Sequence, residues 1–176
     1  MHERTLRETA AKAARSLGAD ARRGGRSFVV NTFAGHPLVP RVLRLAIYRG
    51  MGLDIRTRGI FEGCSFVGRN ITIGANTYVN REVLLQAGPT ARITIGANCH
   101  IAMRVVVTTS SHDRTNHEIV RHLPVKIGDR VWLGVGALVL PGVTIADDVI
   151  VGAGAVVTRD CLEPGLYAGV PAVRVR

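Results

Sequence analysis

A six-residue period runs through residues 127–157, which read IGDRVWLGVGALVLPGVTIADDVIVGAGAVV. The period continues upstream of this stretch, with a short interruption at residues 88–92 and a long one at residues 113–126. Thirteen aliphatic positions share it: Val67, Ile73, Val79, Leu85, Ile95, Ile101, Val107, Ile127, Leu133, Val139, Ile145, Val151 and Val157. A period of six is neither the 3.6 of an α-helix nor the simple alternation of an ordinary strand.

Short strands separated by tight turns explain this period. Three such units close a triangular coil of about 18 residues, and stacked coils place the aliphatic residues inside as ladders. Small or β-branched residues follow four positions later and are expected to fill the rest of the core: Thr77, Val83, Cys99, Val105, Ser111, Val131, Ala137, Val143, Val149, Ala155 and Cys161. The sequence therefore predicts an all-β protein folded as a parallel β-helix.

The charge of the chain is concentrated before the repeat. The 176 residues carry a net charge of +10, and residues 1–58 hold 12 Lys/Arg against 4 Asp/Glu. We expect a basic, partly helical N-terminal arm and cap over residues 1–58, with helices at residues 5–23, ended by Gly24–Gly25, and at residues 40–48. Residues 59–176 form the β-helix domain, with loop 113–126 and a C-terminal tail.

The role of the basic arm stays open at this point. A solvated helical face is the ordinary explanation for such charge. Contact with an anionic acceptor, peripheral contact with a membrane surface, and capping of the open end of the coil are the alternatives. No nucleic-acid recognition motif accompanies the charge, so nucleic acid is not expected as a partner.

The cysteines and the hydropathy indicate a cytoplasmic protein. Cys64, Cys99 and Cys161 are isolated, so neither a disulfide framework nor a cysteine zinc site is expected, and they are predicted to be small core residues. No secretion signal and no stretch of ~18 apolar residues is present.

Four motifs follow in fixed order: PVKIGDRVWLG from Pro124, LPGVTI from Leu140, GAGAVVTRD from Gly152 and YAGVPA from Tyr167. In this order and spacing they resemble the hexapeptide-repeat acyltransferases, especially the galactoside, maltose and polysaccharide O-acetyltransferases. The resemblance implies a left-handed β-helix, a homotrimer with its active site between neighbouring subunits, and transfer of an acetyl group from acetyl-CoA to a hydroxyl. No metal is implied.

The same resemblance implies roles for individual residues. His112, before the long loop, matches the general base, which removes the proton of a weakly nucleophilic hydroxyl; a surface loop histidine is the ordinary alternative. The main-chain N–H of Val135 matches the oxyanion donor. The remaining positions that match the CoA site are Ala153, Thr158 and Arg159. Arg159, Arg174 and Arg176 are candidates for contact with its phosphates, although the family's usual basic position is Val173 here.

The acceptor side matches less completely. Asn80 corresponds to a sugar-binding asparagine, while Trp132 and His117 are candidates for contact with the acceptor. Asp113, His117 and Glu118 are also candidates for orienting His112, although ordinary loop residues are the alternative for His117 and Glu118. An aspartate that galactoside enzymes use falls near Gly88, so we expect an acceptor other than a simple galactoside or maltose.

Two other classes of function are also considered. A carbonic-anhydrase-like zinc enzyme is suggested by the spacing of five between His112, His117 and His122, but no upstream histidine stands where the third ligand belongs. A β-helix scaffold or binding protein without catalysis is the second alternative.

Overall fold

The computed structural model describes residue 16 and residues 18–175. Residues 18–27 form helix α1, which passes directly into a π-helix, Phe28–Phe33, and helix α2 follows at Arg41–Gly50. The described chain beyond α2 contains eighteen short strands joined by turns. None of the helices described here is long and apolar enough to span a bilayer.

The chain beyond α2 winds through three sheets in turn, which form the three faces of a coil. Face A holds β1 (Asp54–Ile55), β3 (Ile71–Ile73), β6 (Ile93–Ile95), β11 (Val125–Ile127) and β14 (Thr144–Ile145). Face B holds β4 (Tyr78–Val79), β7 (His100–Ile101), β12 (Trp132–Leu133), β15 (Val149–Val151), β17 (Gly165–Ala168) and β18 (Val173–Arg174). Face C holds β2 (Ser65–Val67), β5 (Leu84–Gln86), β8 (Val106–Thr108), β13 (Leu138–Val139) and β16 (Val156–Val157).

All neighbouring strands on these faces pair in parallel, except β17 with β18. The predicted parallel β-helix is therefore confirmed. The turns between faces form three corners of the coil, A–B, B–C and C–A, each named by the faces that it joins in chain order.

The aliphatic ladders fill the interior as predicted, with one exception. Twelve of the thirteen positions have exposed fractions of 3% or less. Val67 is 46% exposed, and Phe66 takes the inward position and pairs with Leu85. The following C–A corner contains one residue more than the period allows, and Gly68 adopts a φ of +82° there. The prediction for Val67 is wrong because counting in sixes does not reveal a single inserted residue.

The second set of core positions also contains one error. Ser111 is exposed, because the chain has already left the coil at this point. Thr109 is fully buried instead, and its hydroxyl accepts a hydrogen bond from the Gly88 N–H at 2.7 Å.

The three cysteines are free and buried, which confirms them as core residues. Burial raises the pKa of the Cys64 thiol to about 12 and that of Cys161 to about 11. Neither thiol is therefore prone to form a thiolate near neutral pH.

The first helix does not end at Gly24–Gly25, so that prediction is wrong. The helical chain runs through both glycines into the π-helix. Each glycine costs a helix about 1 kcal/mol, and packing on the first coil opposes that cost. Val30 is fully buried there, and the Asn31 side chain accepts a hydrogen bond from the Phe66 N–H at 2.8 Å. Residues 5–15 and residue 17 of the predicted helix lie outside the described residues.

Helix α2 covers the open end of the coil. The ring of Tyr48 packs edge-on against Phe66, with 4.9 Å between the centroids. Ile55 of β1 already pairs with Ile73, so the coil begins within residues 1–58, which the sequence assigned to the arm.

The long interruption is a β-hairpin. Strand β9 (Ser110–His112) pairs antiparallel with β10 (Val120–His122), and residues 113–119 join them. Residues 125 and 126 of the predicted loop belong to β11. The hairpin leaves the coil at the C–A corner, between β8 and β11.

Candidate active site

A cleft of about 410 Å³ lies at the C–A corner, at the base of the hairpin. Its walls are formed by Val67, Gln86, Ala87, Gly88, Pro89, Ser110, Ser111, His112, Val120 and His122. His112 is exposed at the end of β9, opposite Val120 of β10. The imidazole can therefore meet a molecule that enters the cleft.

The main chain selects the tautomer of His112. Its Nδ1 lies 2.5 Å from the carbonyl oxygen of His117. A carbonyl oxygen only accepts hydrogen bonds, so Nδ1 carries the hydrogen in this contact. The lone pair of the neutral ring then resides on Nε2, which is the arrangement required to accept a proton from a hydroxyl.

Asp113 organises the tip of the hairpin. Its carboxylate accepts hydrogen bonds from the Thr115 hydroxyl at 2.6 Å, the Thr115 N–H at 2.8 Å and the Asn116 N–H at 3.2 Å, and pairs with Arg121. These contacts, led by the Thr115 hydroxyl, hold the pKa of the Asp113 carboxyl well below its usual range. None of the described hydrogen bonds joins Asp113 to His112, and the carbonyl of His117 contacts the ring instead.

His122 is a cleft residue that the sequence analysis did not place among the site residues. Its Nδ1 lies 2.9 Å from the Ser110 hydroxyl, and its ring covers Gly88 so closely that a Cβ there would come within 2.2 Å of Nδ1. The antiparallel register pairs Ser110 with His122. A sequence prediction of a β-hairpin over residues 110–122 would have placed His122 opposite Ser110.

An apolar groove of about 660 Å³ follows the B–C corner and the adjoining part of face B. It is lined by Ala102, Trp132, Gly134, Val135, Ile150, Val151, Gly152, Ala153, Gly165 and Leu166. Trp132 is 52% exposed, so it lines this groove and is not part of the core. The structure thus brings together Trp132, Val135 and Ala153 from the predicted site.

The main chain of this groove includes Val135, the predicted oxyanion donor. The Val135 carbonyl accepts a hydrogen bond from the Gly154 N–H at 2.8 Å, whereas none of the described hydrogen bonds uses the Val135 N–H. A Cβ on Gly134 would lie 2.5 Å from the Ala153 nitrogen, so neighbouring coils approach closely. The main chains of two successive coils consequently pack against each other at this wall.

Asn80 lies in a neighbouring hollow of about 420 Å³ that shares Ala102 and Trp132 with the groove. Its side-chain oxygen accepts a hydrogen bond from the Arg81 N–H at 2.8 Å, which caps its own turn. The amide group remains half-buried at the edge of the hollow.

The other predicted CoA residues are dispersed. Thr158 and Arg159 are exposed at the C–A corner after β16. Arg174, on β18, donates to the Pro164 carbonyl at 3.1 Å and pairs with Glu163 at 3.5 Å. Arg176 lies outside the described residues.

His112 and Val135 lie at opposite edges of face C. His112 follows the C–A corner and Val135 forms part of the B–C corner. The five or so residues of strand and turn between two corners span roughly 15 Å at ~3.3 Å per residue. A single chain therefore does not bring the predicted base and the predicted oxyanion donor together.

The described residues do not gather three His, Cys, Asp or Glu side chains around a position for a metal ion. His117 contacts the His112 ring through its carbonyl oxygen and not through its imidazole.

Residues 124–159 match the family profile of bacterial transferase hexapeptide (six repeats). The galactoside O-acetyltransferase of Escherichia coli K12 is 37% identical over 114 residues, which cover 62% of this chain and 55% of that protein. This chain spans a little over half the length of the curated relatives that it matches.

Solved structures extend the similarity to most of the chain. A galactoside acetyltransferase in complex with coenzyme A has a TM-score of 0.75 and 28% identity, with 89% of this chain and 78% of that chain covered. A hexapeptide-repeat acetyltransferase from Vibrio cholerae in complex with acetyl-CoA has a TM-score of 0.72 and 26% identity, with 89% and 85% covered. Such proteins are left-handed β-helices, and this chain shares their fold.

Proposed function

We propose that this chain, which belongs to the hexapeptide-repeat acyltransferase family of left-handed β-helix proteins, is an O-acetyltransferase that moves an acetyl group from acetyl-CoA to a hydroxyl of a sugar or glycosylated acceptor. The observation that carries this proposal is the environment of His112. Its Nδ1 is bound to a main-chain carbonyl, and its ring stands at an open cleft. The curated relative named above is a galactoside O-acetyltransferase, and the two solved neighbours are acetyltransferases in complex with CoA or acetyl-CoA.

His112 serves as the general base in this reaction. Its Nε2 takes the proton of the acceptor hydroxyl as the oxygen attacks the thioester carbonyl of acetyl-CoA. The carbonyl oxygen becomes an oxyanion, which the free N–H of Val135 stabilises. Collapse of the tetrahedral intermediate breaks the C–S bond, and the imidazolium returns its proton to the departing sulfur. The products are the O-acetyl ester and CoA.

The groove along the B–C corner suits the pantetheine arm of CoA. Trp132, Val135 and Ala153 form part of its apolar wall. Thr158, Arg159, Arg174 and Arg176 are proposed for the polar and phosphate groups. Asn80, Trp132 and His117 are proposed to contact the acceptor.

A homotrimer completes the site in this proposal. His112 and Val135 occupy opposite edges of one chain, so the base of one subunit must meet the oxyanion donor of its neighbour. Closed cyclic assemblies provide the same contact three times over. We also place the protein in the cytoplasm, since its three cysteines are all free thiols.

Calorimetric titration of the purified protein with acetyl-CoA tests this function without knowledge of the acceptor. We expect micromolar binding at one site per subunit. His112→Ala should bind acetyl-CoA as the wild type does, but lose transfer in an acceptor screen by about 10²–10⁴-fold. His36→Ala, which changes an exposed histidine of the arm, is the matched control and should retain transfer.

Two outcomes would contradict the proposal. Absence of acetyl-CoA binding by the folded protein would favour a non-catalytic β-helix scaffold. Full transfer activity in His112→Ala would remove His112 as the base.

A further inference from the structure

A second and larger cleft opens beside the His112 cleft. It encloses about 970 Å³ between helix α1 and the first coils. The two clefts share four wall residues: Val67, Ala87, Gly88 and Pro89. A molecule of the size of a substituted sugar can therefore extend from one cleft into the other.

Four arginines line this second cleft, and no carboxylate belongs to its described walls. Arg22, Arg23 and Arg26 come from α1, and Arg69 comes from the C–A corner after β2. We call these four residues the arginine cluster. Arg23 pairs at 3.8 Å with Asp20, but both side chains are largely exposed. Solvent screens such a contact, so the cluster retains most of its positive charge.

Arg26 and Arg69 are close enough for their positive charges to repel each other. One terminal nitrogen of Arg26 donates to the Gly68 carbonyl at 2.8 Å, which aims the guanidinium at the floor of the cleft. Its Nε is buried without a hydrogen-bond partner among the described residues. Burial, followed by the nearby charge of Arg69, lowers the pKa of Arg26. An anion between Arg26 and Arg69 would relieve both effects.

We infer that the acceptor carries a phosphate group, which the arginine cluster holds while an acceptor hydroxyl reaches His112. This inference rests on the proposed transferase function and specifies its substrate class as a phosphorylated sugar. Guanidinium groups bind phosphate through paired, charge-assisted hydrogen bonds. A phosphomonoester carries a charge near −2, which matches several arginines better than the single charge of a carboxylate does.

The position of the cluster separates it from the proposed CoA groove. The cluster lies at the corner after β2, whereas Val135 and Ala153 lie three and four coils further along. Strands in a sheet are ~4.8 Å apart, so the axial separation is roughly 14–19 Å. A three-fold axis parallel to the coil would leave this axial separation unchanged.

The test measures binding of glucose 1-phosphate, pyrophosphate, glucuronate and glucose to the full chain by calorimetry, with acetyl-CoA titrated in parallel. We expect glucose 1-phosphate and pyrophosphate to bind at least about tenfold more tightly than glucose or glucuronate, and less tightly as salt is raised. Arg69→Gln and Arg22→Gln should each weaken phosphate binding about tenfold. Arg56→Gln removes an exposed arginine on another corner and should change nothing.

The outcomes separate this inference from the function on which it rests. Equal binding of glucose and glucose 1-phosphate, tighter binding of glucuronate, or loss of acetyl-CoA binding in Arg69→Gln would each overturn the inference. Failure of the wild type to bind acetyl-CoA, with phosphate binding retained, would contradict the proposed transferase and not the anion site. Both arginines are exposed, so their variants are expected to fold.

Discussion

Arg44 is a charged residue at the centre of the N-terminal cap. It is 2% exposed, and its guanidinium donates to four carbonyl oxygens, those of Ala34, His36, Val39 and Ile60, at 2.7–3.1 Å. The planar fork thereby joins the turn before α2, the start of α2 and the first coil. In the sequence, Arg44 is one of several basic residues on a predicted helix. Its charge alone does not reveal that main-chain carbonyls surround it.

Replacement of Arg44 should destabilise the cap. Arg44→Met removes donors from four carbonyls, and hydrogen bonds to a charged group are worth about 1.5–3 kcal/mol each before compensation. We expect a net loss of about 3 kcal/mol, or a fall in Tm of roughly 10 °C. Arg41→Met, one turn earlier, loses only an exposed contact over the Phe61 ring and should cost less than about 1 kcal/mol.

Thermal unfolding at fixed protein concentration measures this difference. Similar Tm values for Arg44→Met and Arg41→Met would show that the carbonyl contacts of Arg44 do not stabilise the cap. Concentration must be held constant because assembly of subunits shifts the apparent Tm.

At the scale of elements, the β9–β10 hairpin is the feature that gives His112 its environment. The His117 carbonyl reaches the imidazole only because the tip of the hairpin turns back on itself. That turn is stabilised by Asp113, which binds the N–H groups of Thr115 and Asn116. The hairpin thus links a structural carboxylate to the tautomer of the proposed base.

Substitution of Asp113 should loosen the hairpin tip. In Asp113→Asn we expect hydrogen exchange at the Thr115 and Asn116 amides to accelerate about tenfold, because the acceptor loses its charge. Asp54→Asn, which alters an exposed carboxylate paired with Arg56, is the control and should leave both amides unchanged.

The pH dependence of this effect follows from the lowered pKa of Asp113. The contribution of a carboxylate with a depressed folded-state pKa is complete above its ordinary value of about 3.9, and is lost as pH falls through the lower folded value. Protection of the two amides, corrected for intrinsic exchange, should therefore be the same at pH 7 and pH 5. A decline between those values would contradict the assigned role of Asp113.

The sequence predicts some of these elements and misses others. The repeat predicts the coil and its ladders because every unit makes the same contacts with its neighbours. It errs at Val67 and Ser111, where one inserted residue and one hairpin break the count. The predicted end of the first helix at Gly24–Gly25 is wrong because packing against the coil overrides local helix propensity. The proximity of His122 to Gly88 does not follow from the six-residue count, since it depends on the hairpin and its register.

At the scale of the whole molecule, the coils stack so closely that a binding or catalytic site lies at the corners and not inside the coil. A Cβ on Gly96 would lie 2.5 Å from the Gly128 oxygen, so successive coils meet along their main chains. A wall this dense has no room for an internal site. The proposed base and the proposed oxyanion donor lie at separate edges, and the arginine cluster lies at the same corner as His112.

Subunit mixing tests whether the site is shared between chains. His112→Ala lacks the base, and Ala153→Trp should block the proposed CoA groove, so each homotrimer should be inactive. Refolding the two variants together at equal amounts yields mixed trimers in about three quarters of cases by random assembly. Each cyclic mixed trimer contains one interface with both intact halves, so about a quarter of wild-type transfer activity should return. Activity that stays absent although mixed trimers form, as resolved by differently tagged subunits, would mean that the base and the groove act within one chain.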